Sequence, residues 1–141
     1  MQPESPAEQI RTTLARIAHL ADTGTVEDYV EQFTHQAEWT MPANPDRGLP
    51  TQVRRGREEI AAGVRERRSA GIQGPGTFTR HVTTAIAVDV TSETTARAEA
   101  VWTFYIDTAT APRLSGVGSY ADEFEREDGH WRLSKRVIAR G

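Results

Sequence analysis

Ile10, Leu14, Ile17 and Ala21 recur every three or four residues with charged residues between them, the spacing of one buried face of a helix. Asp22-Thr23-Gly24 predicts its end, with Gly24 as the cap. A second, short helix is predicted with Val26, Tyr29, Val30 and Phe33 on one side. Ala37, Trp39 and Met41 then alternate, which predicts a short strand. Residues 42–56 hold three prolines and two glycines and read as a loop, long enough for a lid or a pocket wall. A third helix is expected over about 57–69, with Ile60 and Val64 inward, ended by Gly71, Gly74, Pro75 and Gly76.

From Thr77 the period becomes two. One strand is predicted from Phe78 to Val90, with His81, Thr79, Thr83, Ala85 and Ala87 opposite Val82, Ile86, Val88 and Val90. A turn at Ser92-Glu93 leads to a second strand, Thr94 to Asp107, with Ala96, Ala98, Ala100, Trp102, Phe104 and Ile106 on one face. After a connection at Ala109–Pro112, a hairpin is predicted from Gly116 to Arg136. Its tight turn falls at Asp128-Gly129, because a type I′ turn needs positive φ at both central positions. Tyr120, Asp122, Phe124 and Arg126 share a face of its first strand. Strict alternation on the second puts Trp131, Leu133, Lys135 and Val137 on one face and Arg132, Ser134 and Arg136 on the other. Helices followed by a run of antiparallel strands imply an α+β chain, with helices packed on one face of a curved sheet. Its 141 residues make one domain, 1–141, with the polar, proline-bearing residues 1–6 expected to fray.

Composition narrows the chemistry. There is no Cys, which excludes a disulfide scaffold, a thiolate nucleophile and a Cys-ligated metal, and suits a cytoplasmic setting. The net charge of −3 gives no global attraction to nucleic acid or anionic lipid, and no apolar run is long enough to span a bilayer. The four histidines are scattered without ligand spacing, so no metal site is expected. No glycine-rich phosphate loop, His-Glu-x-x-His or Gly-x-Ser-x-Gly occurs.

Two residues stand out for chemistry. Asp22, at the end of a helix that must dock on the sheet, either points into the space between them or is an ordinary turn aspartate. His81, on a strand face of small and polar residues, is either a proton carrier facing a cavity or a hydrogen-bonded structural histidine. Trp39, Met41, Phe78, Trp102, Phe104, Tyr105 and Tyr120 either fill the core or line an apolar pocket. Arg136 faces away from Trp131 and Leu133 on this reading; turned inward, it would need an acid or a substrate oxyanion. Arg54, Arg55, Arg57, Arg65, Arg67 and Arg68 form a basic cluster interleaved with Glu58, Glu59 and Glu66, which reads as a solvated face or as a phosphate-binding one. His19 lies one helical turn before Asp22, while His35 and His130 read as exposed.

From Ile10 to Ile138 the chain resembles the SnoaL-like branch of the nuclear transport factor 2-like superfamily. The resemblance rests on Ala21-Asp22-Thr23-Gly24, Gln32-Phe33-Thr34, Ala37-Glu38-Trp39, Arg55-Gly56-Arg57-Glu58-Glu59-Ile60, Thr79-Arg80-His81, Gly118-Ser119-Tyr120-Ala121-Asp122-Glu123 and Asp128-Gly129-His130-Trp131-Arg132 with Arg136, in that order. It implies a cone: a strongly curved antiparallel (mixed) sheet wrapped by about three N-terminal helices around a deep apolar pocket, often in a homodimer. It also implies a cofactor-free acid–base enzyme, a dehydratase, cyclase or isomerase, acting on a hydrophobic cyclic substrate such as a polyketide or steroid. Asp22 and His81 would be its catalytic pair. The alternative is a non-catalytic binding or partner subunit, like the small subunit of a ring-hydroxylating dioxygenase. Dehydratase relatives usually carry a tyrosine in the turn before the Asp, where this chain has Ile17 and Ala21, and scytalone dehydratase has a second histidine near Ser115 or Val117. The donor that polarises the substrate carbonyl therefore falls to Tyr120, Tyr105 or Arg136. Arg97-Ala98-Glu99 departs from the epoxide hydrolase pattern, which disfavours that chemistry.

Overall fold

The computed structural model describes residues 3–141. Helix α1 spans Pro6–Thr23 and α2 Val26–Val30. Strand β1 (Phe33–Met41) and β2 (Gln52–Arg55) precede α3 (Gly56–Ser69), and the chain closes with β3 (Arg80–Val90), β4 (Thr95–Ile106), β5 (Arg113–Glu127) and β6 (His130–Arg140). The strands form one six-stranded sheet in the order β2-β1-β6-β5-β4-β3. It is mixed: β1 runs parallel to β6, and every other neighbour is antiparallel.

Helices α1 and α2 begin where the sequence supplies a capping side chain. Ser5 accepts the Glu8 N–H at 3.2 Å and Pro6 opens the first turn of α1, inside the stretch expected to fray; residues 1–2 lie outside the described residues. Thr25 accepts the Asp28 N–H at 3.1 Å and starts α2. The predicted stripe of α1, Ile10, Leu14, Ile17 and Ala21, is buried, and Gly24 returns its N–H to the Leu20 carbonyl. Burying each of the three larger side chains contributes roughly 1.5–3 kcal/mol, which is what holds α1 on the sheet. The deepest core joins Ile10 and Leu14 to Val64 of α3 and to Phe33, Phe124 and Leu133 of the sheet. Phe33, read as part of the second helix, is instead the first residue of β1, with its ring 5.1 Å from Tyr29.

Four further sequence expectations change. The stretch 42–56 is not all loop: β2 pairs antiparallel with β1, and a 3-10 turn at Pro45–Arg47 is closed by the Asn44–Leu49 bridge. Its proline and glycine content hid a four-residue edge strand. Phe78 does not open the long strand; it sits at φ 54°, 61% exposed, two residues ahead of β3. Within β3 the alternation slips between Thr84 and Ala87, where Ala85 takes φ 51°. The bulge keeps His81 and Thr83 on the concave side but brings Ile86 and Val88, not Ala85 and Ala87, onto it. A second irregularity, between Glu123–Lys135 and Phe124–Leu133, leaves Ser134 as an extra residue. Beyond it Arg136 and Ile138 turn to the inner face with Trp131 and Leu133, while Lys135 and Val137 turn outward, so Arg136 does not face away from Trp131 and Leu133.

That slip sets Arg136 directly across from Asp122. The guanidinium donates to both carboxylate oxygens, Nε at 2.9 Å and Nη2 at 2.8 Å, and both residues are buried. Nearby, Trp102 lies over Gly116 and Gly118 of β5 and donates its indole N–H to the Ala139 carbonyl at 3.2 Å. A Cβ on Gly118 would stand 2.6 Å from the Trp102 ring, so this close approach needs glycine. No described helix is long and apolar enough to cross a membrane.

Because Asp122→Ala strands a buried arginine, it should lower unfolding free energy by about 3–5 kcal/mol in urea melts. Asp122→Ala combined with Arg136→Met should recover much of the loss. A single variant as stable as wild type would mean that the pair is not buried in solution.

Candidate active site

Asp22 lies in the last turn of α1, where the negative pole of the helix opposes a carboxylate. Its side chain is only 1% exposed, so its charge needs partners. His81, the second residue of β3, provides two. Its backbone N–H reaches Asp22 Oδ2 at 3.0 Å and Oδ1 at 3.2 Å, and its ring Nδ1 stands 2.7 Å from Oδ1. Arg80 adds a weaker contact, Nε to Oδ2 at 3.9 Å. Arg68 of α3 offsets the helix pole itself, donating to the carbonyls of Leu20 at 3.1 Å and Gly24 at 2.8 Å. An ionised carboxylate accepts only, so Nδ1 is the donor in this contact, and in the neutral ring Nε2 keeps its lone pair.

His81 forms part of the wall of a cavity of about 440 Å³ between the concave sheet face and the helices. Its ring packs 4.6 Å from Phe104. Of the residues expected to line an apolar pocket, Trp39, Met41, Trp102, Phe104, Tyr120 and Arg136 do so. Phe78 and Tyr105 do not. Phe78 is exposed on its left-handed turn, and Tyr105 follows the inward Phe104, so the pleat turns it to the convex face. The loop contributes a wall rather than a closing lid: Asn44, Asp46 and Arg47 border the cavity, and Arg140 Nη1 pins the loop by donating to the Pro42 and Ala43 carbonyls at 3.0 Å each.

Among the candidate carbonyl donors, Arg136 is occupied. Burial works against its charge, yet Asp122 more than offsets this and holds the guanidinium above its ordinary range. Its Cζ lies 3.6 Å over the Tyr120 ring. Burial pushes the Tyr120 phenol up to about 12, although Arg136 pulls the other way. Tyr120 is therefore a neutral O–H donor at the cavity wall, with no hydrogen-bond partner of its own among the described residues.

The basic cluster, spread over β2 and α3, divides by what its members meet. Arg54, Arg55 and Arg65 pair with Glu66, Glu38 and Glu27 near the surface. Arg57 holds the Phe33 carbonyl through Nε at 3.0 Å and Nη2 at 2.7 Å, and Arg68 caps α1. Arg67 enters the cavity wall, its Cζ 4.6 Å over Trp39. It follows Ile60 by seven residues and Val64 by three, so the helical period alone places it on the buried face. Gln73, buried in the turn after α3, also borders the cavity and carried no periodic signal. His19, His35 and His130 are exposed.

His35, Glu127 and Asp128 gather where the β5–β6 turn meets the start of β1, with ligand atoms close together. Arginines already serve them: Arg132 Nη1 lies 3.2 Å from Asp128 and 3.6 Å from Glu127, and Arg57 Nη1 lies 3.4 Å from the His35 ring. A cation there would have to displace that charge.

The three helices and curved sheet recur in solved structures. A nuclear transport factor 2-like protein with a cystatin-like fold from Novosphingobium aromaticivorans shares 25% identity, covering 95% of this chain and 80% of that one, with a TM-score of 0.77. A protein from the same organism named as a candidate scytalone dehydratase shares 21% identity over 96% of this chain and 83% of its own, with a TM-score of 0.73. The beta subunit of a protein named as a candidate aromatic-ring-hydroxylating dioxygenase, again from that organism, shares 21% identity over 94% and 87%, with a TM-score of 0.74. A search of curated proteins returns no match. The family model of the SnoaL-like domain matches residues 6–137, nearly the whole chain, and the chain belongs to that family.

Proposed function

We propose that this chain is a cofactor-free general acid–base enzyme, a dehydratase or cyclase, or an isomerase by the same first step. Its substrate is a hydrophobic cyclic molecule carrying a carbonyl and a hydroxyl, of polyketide or steroid type. The observation that carries the reading is the 2.7 Å contact between Asp22 and His81 at the wall of a cavity large enough for such a molecule. His81 Nε2 takes the proton from the carbon next to the carbonyl, and the resulting imidazolium is stabilised by Asp22. Tyr120 donates to the carbonyl oxygen as charge develops there. The imidazolium then returns its proton to the departing hydroxyl. Water leaves, and the electron pair of the broken C–H bond becomes the new double bond. Trp39, Met41, Trp102 and Phe104 supply the apolar walls, and Arg136 holds Tyr120 from behind its ring.

The fold shared with a dioxygenase beta subunit supports a second reading, a non-catalytic partner subunit. Docking α1 on β3 needs only the backbone N–H of residue 81; a carboxylate that also orients an imidazole in the cavity wall suits acid–base chemistry, which is why the first reading is preferred. In either case the convex face supports a homodimer. Val82, Val101 and Val137 are exposed there, on the side of the sheet opposite the helices. Such a protein, lacking cysteine, suits the cytoplasm.

Proton removal can be read without the native substrate. Wild-type protein should speed exchange of the α-protons of 2-tetralone with solvent deuterium, followed by NMR. His81→Ala and Asp22→Asn should each lose about 10²–10⁴-fold of that acceleration while keeping the wild-type circular dichroism. Exchange no faster than in buffer, or equal in the variants, would favour the scaffold reading.

Light scattering should give twice the 15.6 kDa chain mass, and Val101→Arg should return the mass to that of one chain. A wild-type monomer would remove the dimer from the account.

A further inference from the structure

Arg67 is the unusual group in this cavity. Arg136 is neutralised by Asp122, and Arg140 is spent on loop carbonyls. Glu66, beside Arg67 in sequence, is taken by Arg54 at 2.5 Å. Among the described residues the Arg67 side chain makes no hydrogen bond and no ion pair, and its Nη1 is sealed from water without an acceptor. Burial depresses its pKa, although nearby Tyr29 opposes the shift. A cation in this position is costly to keep. The Trp39 face beneath its Cζ offsets only part of that cost. Helix α3 also gives way to it: a Cβ on Gly63 would stand 3.2 Å from Arg67 Nη1, and glycine in mid-helix weakens the helix.

We infer that Arg67 is a specificity-determining residue that receives an anionic oxygen group, a carboxylate, on the substrate. The site is the one assigned above to acid–base chemistry, and the inference rests on that reading for which end of the ligand reacts. Arg67 sits on Trp39 of β1 and His81 on β3, with β6, β5 and β4 between those strands. The carboxylate and the carbon that loses its proton therefore meet different walls of one cavity. A guanidinium facing a carboxylate forms charge-assisted bonds that a neutral ketone cannot match. The same contact would orient the ring system while Asp22 and His81 act at the other end.

Calorimetric titration of the intact protein with 2-naphthoate and with neutral 2-acetylnaphthalene tests this without turnover. The two share a ring system, and the first is fully ionised at neutral pH. Wild type should bind the naphthoate about 10–100-fold more tightly. Arg67→Gln should erase that preference and leave the ketone's affinity within about twofold of wild type, the level at which nothing else has changed. Arg67→Lys should keep part of the preference, and Arg47→Gln should keep all of it. His81→Ala should leave it intact too, so a failed exchange assay and a failed binding preference are separate results. A wild type that binds neither compound, or does not prefer the naphthoate, overturns the inference. So does a preference that survives Arg67→Gln or vanishes with Arg47→Gln. Should Arg67→Gln not fold, wild type and Arg67→Lys decide the question.

Discussion

The contact between Asp22 and His81 is the constraint on which the rest of the site depends. It joins the end of α1 to the start of β3, two elements 59 positions apart in the chain. Asp22 sits at the wrong pole of its helix and out of water, and it is tolerated there because His81 offers it both a backbone N–H and a ring N–H. Arg68 supports the arrangement from behind by taking the α1 carbonyls. The same few bonds therefore dock the helix, make Nδ1 the donor to the carboxylate and hold the ring in the cavity wall. Fold and chemistry share one interaction, which is why α1 must be packed before the site exists.

The two inward arginines show how environment sets role. Arg136 meets Asp122 head-on, with two short bonds, and serves as a fixed, neutralised platform beneath Tyr120. Arg67 rests on a π face without an anion. Their chemistry is identical and their surroundings are opposite. In a cavity otherwise walled by Trp39, Trp102 and Phe104, one charge is satisfied by the protein and the other is left for what binds.

Much of the architecture was legible in the chain because local signals agreed with the global packing. The stripe of α1, the Asp128-Gly129 hairpin and the alternation of β4 each follow from periodicity or turn chemistry, and each appears where expected. What periodicity could not supply was its own interruptions. An alternation rule assumes an unbroken pleat, whereas a sheet curved enough to leave a cavity takes bulges. Those at Ala85 and Ser134 reverse the facing of everything beyond them; the second is the whole reason that Arg136 meets Asp122. Phe78 escaped for a similar reason, since nothing local marks it for positive φ. Arg67 was legible in principle, in register with Ile60 and Val64, but its charge and its arginine-rich neighbours argued for a solvated face. The proximity of Asp22 and His81 was different again. It came from the resemblance to a family, and the fold brings the two side chains together; no period in the chain encodes a contact between a helix end and a distant strand.

The central claim is that a buried carboxylate holds the His81 ring with Nδ1 protonated and Nε2 free at the cavity. Nitrogen-15 NMR of histidine-labelled protein reads this directly, with His81 identified by its loss in His81→Ala. In the neutral ring, Nδ1 should give the protonated, pyrrole-type signal and Nε2 the bare, pyridine-type signal, and Asp22→Asn should remove that bias. A neutral His81 with its proton on Nε2, or a tautomer indifferent to Asp22, would contradict the account.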